Sequence, residues 1–332
     1  MSYVVNGRFL SRQVTGVERY AGEILRCLGE KPRIVRPRRS LQGVSGHFWE
    51  QIILPSYVNR SECLWSPANT GPLRVTNQVL TLHDLSPLEH PEWFTPAFSL
   101  WYRLMTPILV QRVRHVVVSS AYMKRKIELR FALSSQRVSV VPGGVDLNRF
   151  RPDLDPPEGV PARYLLYVGT LQPRKNLAVL LRAWNQVSHH FPDAWLLLAG
   201  GTDRNFNHLV FDKPLERVLF SGYVQDTDLA GLYAGAEVSV LPSLEEGFGL
   251  PVLEAMACGT PVIASNIGSL PEVIGDAGVL FDPNCPTELA VQIESCLRNA
   301  DVRHAYAEKG LRRVKDFSWQ ASAERIQEVL QA

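Results

Sequence analysis

The sequence predicts an α/β protein of two tandem domains, each built on a doubly wound parallel sheet. Its 332 residues exceed the ~250–300 residues at which a single hydrophobic core usually splits into domains. Short apolar runs alternate with helix-patterned segments in both halves, which is typical of parallel sheets with helices on both faces. Residues 151–161, RPDLDPPEGVP, contain four prolines and three acids, a linker composition. We therefore expect a first domain over residues 1–155 and a second over residues 156–316.

Apolar runs in the first half predict strands at residues 3–5, 78–82, 115–119 and 138–141. After the first run, apolar residues recur at helical spacing from Val17 to Leu28. Residues 97–112 also have a helical pattern, and Pro107 inside it predicts a kink or break. Ser120 is the expected cap of the next helix.

The second half repeats the pattern, with strands expected at residues 164–168, 195–199, 217–220, 238–241 and 261–264. Helices centred near residues 180, 230, 254 and 293 separate or follow these strands. In doubly wound folds, ligands bind beyond the carboxyl ends of the strands. Two such domains in tandem predict a ligand-binding cleft between the carboxyl ends of the two sheets.

The charge of the chain is distributed unevenly between its halves. Hydrophobic residues make up 45% and charged residues 20% of the sequence, a globular balance that argues against extended disorder. The net charge of +2 combines +10 in residues 1–150 (20 Lys/Arg, 10 Asp/Glu) with −8 in residues 151–332 (15 Lys/Arg, 23 Asp/Glu). This asymmetry favours a negatively charged partner for the first half. The alternative is two solvated surfaces whose charges differ by coincidence.

The cysteines and the apolar content bear on compartment. Five scattered cysteines form no CxxC pair and no His/Cys ligand spacing, so we expect reduced thiols in a cytoplasmic protein and neither a disulfide framework nor a zinc site. The first residues lack the apolar run of a signal peptide. No stretch approaches ~20 consecutive apolar residues. Any membrane contact is therefore expected to be peripheral.

The most informative segment runs from Leu244 to Glu254 and follows an apolar strand. Gly247 and Gly249 allow the backbone to approach a ligand closely, and Pro251 suits a first helical turn. Free N–H groups at a helix start form an anion site. Glu246 on the loop and Glu254 on the helix offer carboxylates for hydroxyl groups on either side of a phosphate bound there.

This segment, EEGFGLPVLEAMACGTPVIAS at residues 245–265, resembles the signature of the retaining GT-B glycosyltransferases of family 4, the glycosyl transferases group 1. The resemblance extends over nearly the whole chain and is mannosyltransferase-like in the first half. It implies a GT-B fold of two Rossmann-like domains facing a cleft, with a C-terminal helix (317–332) crossing back to the first domain. The other similar stretches are TGVERYAGEIL (15–25), LTLHDLSPLEHPEWF (80–94), VSSAYMKRKI (118–127), VVPGGVD (140–146), YVGTLQPRKN (167–176), FSGYV (220–224), SNIGSLPEVIGDAG (265–278) and FSWQASAERIQEVL (317–330).

The resemblance implies that Arg174 and Lys175 bind the diphosphate and stabilise it as it leaves. Arginine can hold phosphate oxygens bidentately, and lysine supplies a compact charge. Many relatives carry an arginine directly after the strand glycine, where this chain has Gly169-Thr170. For that reason we assign the larger share of diphosphate binding to Arg174. A solvated Arg-Lys pair is the alternative.

The remaining implied roles are also taken from the family pattern. Glu246 resembles the residue that holds the donor sugar, and Glu254 the residue that binds the ribose. His83 is expected to touch the donor sugar, with Asp84 orienting either His83 or the acceptor; a purely structural histidine is the alternative. The implied nucleotide-sugar contacts comprise Gly16 (otherwise a simple tight turn), Val224 beside the base, and Gly247, Phe248, Gly249 and Leu250.

No metal is expected to take part. Asp226-Thr227-Asp228 and Asp153-Leu154-Asp155 fit the DxD pattern of metal-diphosphate sites. Asp226, however, is placed to cap a helix, and the second match lies in the linker. The sequence also has no GxGxxG and no GxxxxGK[ST], so hydride transfer and ATP hydrolysis lack their phosphate fingerprints.

Taken together, these features predict a retaining glycosyltransferase of surface polysaccharide biosynthesis that moves a hexose from a nucleotide-diphosphate sugar to a glycan or lipid-diphosphate-linked hydroxyl. GDP-mannose is the favoured donor, with UDP-hexoses and dTDP- or other deoxysugars as alternatives. A nucleotide-sugar epimerase and a non-catalytic nucleotide-sugar-binding module are the rival hypotheses. The expected location is cytoplasmic, peripheral on the inner face of the plasma membrane, with no nucleic acid as partner. The membrane contact is predicted from basic clusters at Lys31–Arg39 and Lys124–Arg130 and from the apolar residues near the second cluster, Tyr122, Met123, Phe131 and Leu133.

Overall fold

Two parallel β-sheets organise the chain, one in each of two compact units. The computed structural model describes residues 3–12, 14–29, 32–41, 43–201 and 216–332. One unit takes the residues up to Glu89, Ala97–Gly144 and Ser318–Ala332, and the other takes His90–Pro96 and Val145–Phe317. Residues 145–155 are thus grouped with the second unit.

In the first unit, six parallel strands follow the order β2-β1-β3-β4-β5-β6. Its core lies between the sheet and the helices, with Leu80, Val116 and Ile127 fully buried. The strands are β1 Tyr3–Asn6, β2 Arg33–Val35, β3 Cys63–Ser66, β4 Gln78–Thr81, β5 His115–Val118 and β6 Val138–Val140. The helices among them are α1 Gly16–Cys27, α2 Gly43–Phe48, α3 Ser86–Glu89, α4 Pro96–Arg112 and α5 Ala121–Phe131.

In the second unit, six parallel strands follow the order β12-β11-β10-β7-β8-β9. Leu165, Trp184 and Ile293 belong to its buried core. The strands are β7 Tyr164–Val168, β8 Trp195–Ala199, β9 Val218–Gly222, β10 Val238–Leu241, β11 Val262–Ser265 and β12 Val279–Phe281. The helices are α6 Leu177–Val187, α7 Asp226–Ala234, α8 Leu250–Ala257, α9 Leu270–Ile274, α10 Pro286–Arg298 and α11 Ala300–Arg313. The prediction of two parallel α/β sheets is confirmed.

The C-terminal helix α12, Trp319–Gln331, belongs to the first unit, as predicted. Its N-cap Ser318 accepts a hydrogen bond from Ala321 N–H. The helix packs against α1, where the Trp319 ring centroid lies 5.8 Å from that of Tyr20. Ser322 Oγ donates to the Pro142 carbonyl at 2.7 Å.

One of the two local predictions for helices in the first unit is confirmed, and the other is contradicted in part. Ser120 caps α5 as predicted, accepting from Met123 N–H at 3.1 Å. Of the kink or break predicted at Pro107, the break is wrong, because α4 continues through it from Pro96 to Arg112. Thr106, Leu109 and Val110 on its buried face hold that turn against the core, so packing outweighs the hydrogen bond that proline removes.

Among the residues that the structure describes, no helix is both long enough and apolar enough to cross a bilayer.

Candidate active site

The second sheet reverses its strand order between β7 and β10. From β7 the chain adds β8 and β9 on one side, and then returns to place β10, β11 and β12 on the other. The carboxyl ends of β7 and β10 are therefore neighbours at a topological switch point, where open α/β sheets bind ligands. The segment of Arg174 and Lys175 follows β7, and the segment of Glu246 follows β10.

The loop after β7 is held in place by both of its neighbours. Pro173–Lys175 form a single 3-10 turn, and Asn176 ends it in the left-handed region at φ 53°. The Asn176 side chain donates to the Pro283 carbonyl at 2.8 Å. Leu244 N–H donates to the Arg174 carbonyl at 2.8 Å, which ties this loop to the one that follows β10.

Lys175 and Glu246 form a buried ion pair between these two loops. Lys175 Nζ donates to Glu246 Oε1, and the two residues are 7% and 6% exposed. Arg174 adds a second cation, its guanidinium 3.8 Å from Glu246 Oε2. Ser243 Oγ donates to Glu246 Oε1 at 3.1 Å. The structure thus brings together three of the four predicted catalytic residues.

The charges around Glu246 fix its ionisation state. Burial alone would raise the pKa of this carboxyl, but Lys175 and Arg174 beside it, with the hydrogen bonds from Lys175 and Ser243, hold the pKa below its ordinary value. Glu246 is therefore a carboxylate at neutral pH. It accepts hydrogen bonds there and has no proton to give.

The backbone of the Glu246 loop rests on residues that sequence reasoning did not single out. Ser269 Oγ lies 3.0 Å from the Glu246 carbonyl and 2.9 Å from the Phe248 carbonyl. Gly268, at φ 61°, has its Cα so close that a Cβ would lie 2.7 Å from the Glu246 carbonyl oxygen. Both residues lie in the segment 265–278, whose resemblance was the available signal.

Gly249 starts α8 in a conformation that favours glycine, at φ 106°. A Cβ there would also lie 2.7 Å from Leu270 Cδ2. Pro251 occupies the first turn of α8, as predicted. Gly247, Phe248, Gly249 and Leu250 are all buried, so the predicted nucleotide-sugar contacts form a compact, fixed turn between β10 and α8.

Glu254 lies on the same helix and is also buried. Its Oε2 accepts a hydrogen bond of 3.2 Å from the Tyr233 hydroxyl on α7. Tyr233 is a partner that the sequence pattern did not identify, because its role depends on how α7 and α8 pack.

Val224, the predicted base contact, follows β9 at the edge of the second sheet. It is half-buried beside Tyr223, which is 50% exposed. The strand order places β8 between β9 and β7, so the predicted base and diphosphate segments are separated by one strand.

In the first unit, Gly16 is the first residue of α1 and not part of a free loop. Thr15 caps this helix with Glu18 in a capping box, in which the Glu18 carboxylate accepts from Thr15 N–H at 3.3 Å. Gly16 itself is exposed, so its backbone lies at the accessible N-terminal end of a twelve-residue helix.

His83 follows β4, where its ring is enclosed. His83 Nε2 lies 2.8 Å from the Pro67 carbonyl, so the proton is on Nε2 and Nδ1 is the acceptor nitrogen of the ring. The ring packs edge-on against Tyr20 at 4.8 Å. Burial lowers the pKa of His83, so the neutral imidazole predominates at pH 7. Asp84 accepts from Ser86 N–H at 3.0 Å.

The DxD match at Asp226 has a structural explanation, but a different one from the predicted cap. Gln225 occupies the N-cap position, and Asp226 is the first residue of α7. Its carboxylate lies 2.8 Å from the Arg149 guanidinium. Within the described ranges, no group of three or more His, Cys, Asp or Glu residues is arranged to hold a metal ion.

Two family profiles match the chain. The glycosyl transferases group 1 profile matches residues 152–313, and the Glycosyltransferase Family 4 profile matches residues 58–149. The two matches include the segments that contain Arg174, Lys175, Glu246 and His83.

Curated relatives include bacterial mannosyltransferases. The chain is 42% identical over 163 residues to an Escherichia coli protein named O-antigen chain mannosyltransferase B, covering 47% of this chain and 42% of that protein. It is 30% identical over 222 residues to Salmonella typhimurium O-antigen chain mannosyltransferase RfbU, covering 65% of this chain and 59% of that protein. The chain thus spans only about half the length of these relatives.

A solved structure shares the fold over the full chain. The Anabaena protein Alr3699/HepE, crystallised with UDP-glucose, superposes with a TM-score of 0.76 at 18% identity, covering 100% of both chains. At this identity the likeness concerns the fold alone. The two parallel sheets, the switch-point site and the two profile matches agree: the chain belongs to the group 1 glycosyltransferases of family 4 and has the GT-B fold.

Proposed function

We propose that this protein transfers a hexose, with mannose favoured, from a nucleotide-diphosphate sugar to a hydroxyl of a glycan or lipid-linked acceptor in surface polysaccharide biosynthesis, with retention of the anomeric configuration. The observation that carries the proposal is the ion-paired group of Arg174, Lys175 and Glu246 at the switch point of the second sheet.

The charge of this group suits a diphosphate. Two cations and one carboxylate leave a local charge of +1 in a buried setting, where electrostatic interactions are stronger than in water. A nucleotide diphosphate brings about two negative charges, and arginine and lysine are the side chains that bind phosphate oxygens best. When the donor binds, its phosphate oxygens would become partners of both cations, and Glu246 would accept hydrogen bonds from the sugar hydroxyls.

The proposed step breaks the bond between the anomeric carbon and the diphosphate oxygen and forms a bond from that carbon to the acceptor oxygen. For retention without a covalent intermediate, the acceptor attacks on the face that the diphosphate leaves, and the departing phosphate oxygen takes the acceptor proton. Arg174 and Lys175 would stabilise the negative charge that develops on the leaving group. Glu246, as a carboxylate, would accept hydrogen bonds from the donor sugar and favour positive charge near the anomeric carbon.

The other predicted contacts remain proposals of the same kind. Glu254, oriented by Tyr233, would accept hydrogen bonds from the ribose hydroxyls. The backbone near Val224 would meet the base. In the first unit, Gly16 would offer backbone N–H groups to the diphosphate, and His83 Nδ1 would accept from a sugar hydroxyl.

The donor and acceptor proposals rest on the names of the relatives and on charge. Both O-antigen relatives are named mannosyltransferases, which favours GDP-mannose over UDP- and dTDP-sugars. Surface-polysaccharide acceptors are consistent with the same names. The basic first half favours an acceptor, or a membrane carrying it, that is negatively charged.

The test is acceptor-dependent release of nucleoside diphosphate from GDP-mannose, UDP-glucose and dTDP-sugars. The matched variants are Lys175→Met and, as the control, Lys309→Met, since Lys309 is half-buried on α11 and pairs at 3.3 Å with the exposed Asp276. We expect release from GDP-mannose in wild type and the control, and a loss of at least about 100-fold in Lys175→Met. NMR of the glycoside product should show the anomeric configuration of the donor.

Three results would contradict the proposal. Conversion of donor into an isomeric nucleotide sugar without acceptor would indicate an epimerase. Tight donor binding without turnover across a broad acceptor panel would indicate a binding module. An inverted product would overturn the retaining mechanism.

A further inference from the structure

An exposed apolar ridge runs along the helical segment between β2 and β3. Val44, Phe48 and Ile52 recur at every fourth position and are 86%, 60% and 52% exposed. Residues 43–57 form one continuous helical stretch, in which α2 is followed by a π-helical and then a 3-10 turn. Side chains four apart lie on the same side of a helix, so these three residues form one line.

A second ridge runs along α4, which connects β4 to β5. Leu100, Leu104 and Ile108, again every fourth position, are 58%, 59% and 48% exposed. Solvent-exposed large apolar residues are normal when they are scattered singly. Two lines of three such residues in one unit are therefore unusual and indicate an interaction surface.

The two helical segments that carry these ridges lie side by side. The His47 ring from the first helix lies 4.6 Å from the Trp101 ring on α4, and Gln51 and Met105 line the same small cavity. Both helical segments cross over between parallel strands in the same direction along the sheet, so the right-handed crossover rule places both on one side of it. We call the six residues Val44, Phe48, Ile52, Leu100, Leu104 and Ile108 the two-helix face.

Every exposed charge on the two helical segments of the two-helix face is basic. In residues 43–57 and 96–112 the only acid is Glu50, which is 1% exposed. Arg103 and Arg112 of α4 are exposed, as are Arg39 before α2 and Arg60 after the 3-10 turn. The two-helix face is therefore apolar, with arginines along its helices and at their ends.

We propose that the two-helix face docks on an anionic lipid bilayer, with its six apolar residues entering the interface and the arginines contacting lipid phosphates. Apolar helix faces with basic residues bind in this way, and each Lys/Arg near an anionic surface adds to the attraction. A symmetric second copy is disfavoured, because a two-fold interface would set the same arginines opposite one another with no acid on these helices to pair with them. The inference rests on the membrane-linked acceptor of the proposed function and names the surface that meets the membrane.

This surface differs from the one that the sequence predicted. Of the apolar residues expected beside the second basic cluster, Met123, Phe131 and Leu133 are buried in the core. Lys126 pairs with Glu89 at 2.6 Å, and Lys124 with Glu128 at 3.7 Å. Of the first cluster, Arg33 pairs with Glu62 at 2.6 Å, and Lys31 lies outside the described residues.

The test is co-sedimentation of the full chain with vesicles of phosphatidylcholine containing about 30 mol% phosphatidylglycerol, compared with phosphatidylcholine alone. The test variant is Phe48→Ser combined with Leu104→Ser. The matched control is Val291→Ser, because Val291 is 57% exposed but lies on α10 in the other unit. We expect wild type and the control to bind the anionic vesicles, and the double variant to bind at least about tenfold more weakly. Arg103→Gln with Arg112→Gln should also weaken binding and reduce its salt dependence.

A second measurement reports whether the two-helix face enters the bilayer. In Leu104→Trp, brominated lipid should quench the fluorescence of the added tryptophan, whereas in Val291→Trp it should not. Unchanged vesicle binding by the Phe48/Leu104 variant, or equal quenching at both positions, would overturn the proposal. A concentration-dependent dimer that the same variant abolishes would assign the face to a second copy.

Donor binding, which tests the proposed function, is measured separately from vesicle binding. Without vesicles, the Phe48/Leu104 variant should show the same thermal shift with GDP-mannose as wild type. Loss of vesicle binding with an intact donor response supports docking. Vesicle binding that depends on the two-helix face, in a protein that responds to no nucleotide sugar, would refute the transferase proposal and leave the docking surface standing.

Discussion

Lys175 Nζ and Glu246 Oε1 are in direct contact, joining the ends of two adjacent strands, β7 and β10, at the point where the strand order of the second sheet reverses. The pair is almost fully buried, so each charge depends on the other for compensation. Glu246 thereby holds Lys175 in place, and the lysine keeps Glu246 ionised.

Removing the lysine should destabilise the second unit. In Lys175→Met the buried carboxylate of Glu246 loses its nearest cation, and breaking a buried pair in this way costs about 3–5 kcal/mol of unfolding free energy. Adding Glu246→Gln to the same chain should restore part of the loss. Urea unfolding measures both. Lys309→Met, which breaks a solvent-accessible pair, should cost less than about 1 kcal/mol; equal losses in the two single variants would contradict the role of burial.

Gly268→Ala should disturb the Glu246 loop more than its backbone strain alone explains. The new Cβ would lie 2.7 Å from the Glu246 carbonyl oxygen, so the loop must move. Gly275→Ala is the control, because Gly275 has a similar φ of 58° but its nearest neighbour would be 3.7 Å away. We expect about 1–3 kcal/mol of destabilisation from strain in each variant, and weaker donor binding only in Gly268→Ala. Calorimetric titration with the donor distinguishes the two, and equal affinities would refute the loop displacement.

The first unit should lose stability in acid through Glu50. This buried carboxylate accepts from Asn6 at 2.7 Å and Arg8 at 2.8 Å. Burial would raise its pKa, but His47, whose Nδ1 lies 3.8 Å from the Glu50 carboxylate, and the charge of Arg8 lower the pKa to about 2, from an ordinary 4.5. A lowered folded-state pKa stabilises the protein above the unfolded value, and this stability is lost as pH falls from about 4.5 towards 2.

The full contribution of that shift is roughly 3 kcal/mol. Urea unfolding of the first unit between pH 5 and pH 3 should show the decline in wild type and a smaller one in Glu50→Gln. Glu324→Gln, an exposed carboxylate on α12, should keep the wild-type dependence. A wild-type slope that survives in Glu50→Gln would refute the assignment.

Gly144→Ala should detach the start of α12. A Cβ at Gly144 would lie 2.4 Å from Trp319 N, so the helix or the loop must shift, and we expect a loss of about 1–3 kcal/mol. Hydrogen exchange of the α12 amides should rise in this variant. The control is Gly22→Ala on α1, where a Cβ meets nothing within 4 Å; it should gain about 0.5–1 kcal/mol. Unchanged exchange in Gly144→Ala would contradict the contact.

The sequence predicted the long elements and the charged site residues because their signals are local. Strand β7 is a continuous apolar run and β10 is apolar at three of its four positions. Lys175 and Glu246 follow these strands, which places both at one sheet edge. Short elements escaped notice: β2 has three residues, two of them exposed, so it shows neither alternation nor a continuous apolar run.

What the sequence could not predict depends on contacts between distant segments. Ser269 supports Glu246 from a different loop, and Tyr233 orients Glu254 from a neighbouring helix. Asp226 was expected to cap α7, but Arg149, 77 residues away, recruits its carboxylate from the first turn. The apolar residues near Lys124 were expected to be exposed. Met123 and Phe131 are instead buried, because α5 packs these side chains into the core.

The most direct test of the central claim is the dissociation constant of the best donor for wild type, Lys175→Met and Lys309→Met, measured by calorimetric titration at a temperature where all three are folded. The donor is the nucleotide sugar that raises the wild-type melting temperature most in a panel of GDP-, UDP-, dTDP- and ADP-sugars. Loss of a charged hydrogen bond to the diphosphate should weaken binding by about 10- to 100-fold in Lys175→Met and leave Lys309→Met unchanged. Equal dissociation constants in all three proteins would contradict the assignment of the Arg174–Lys175–Glu246 group as the donor site.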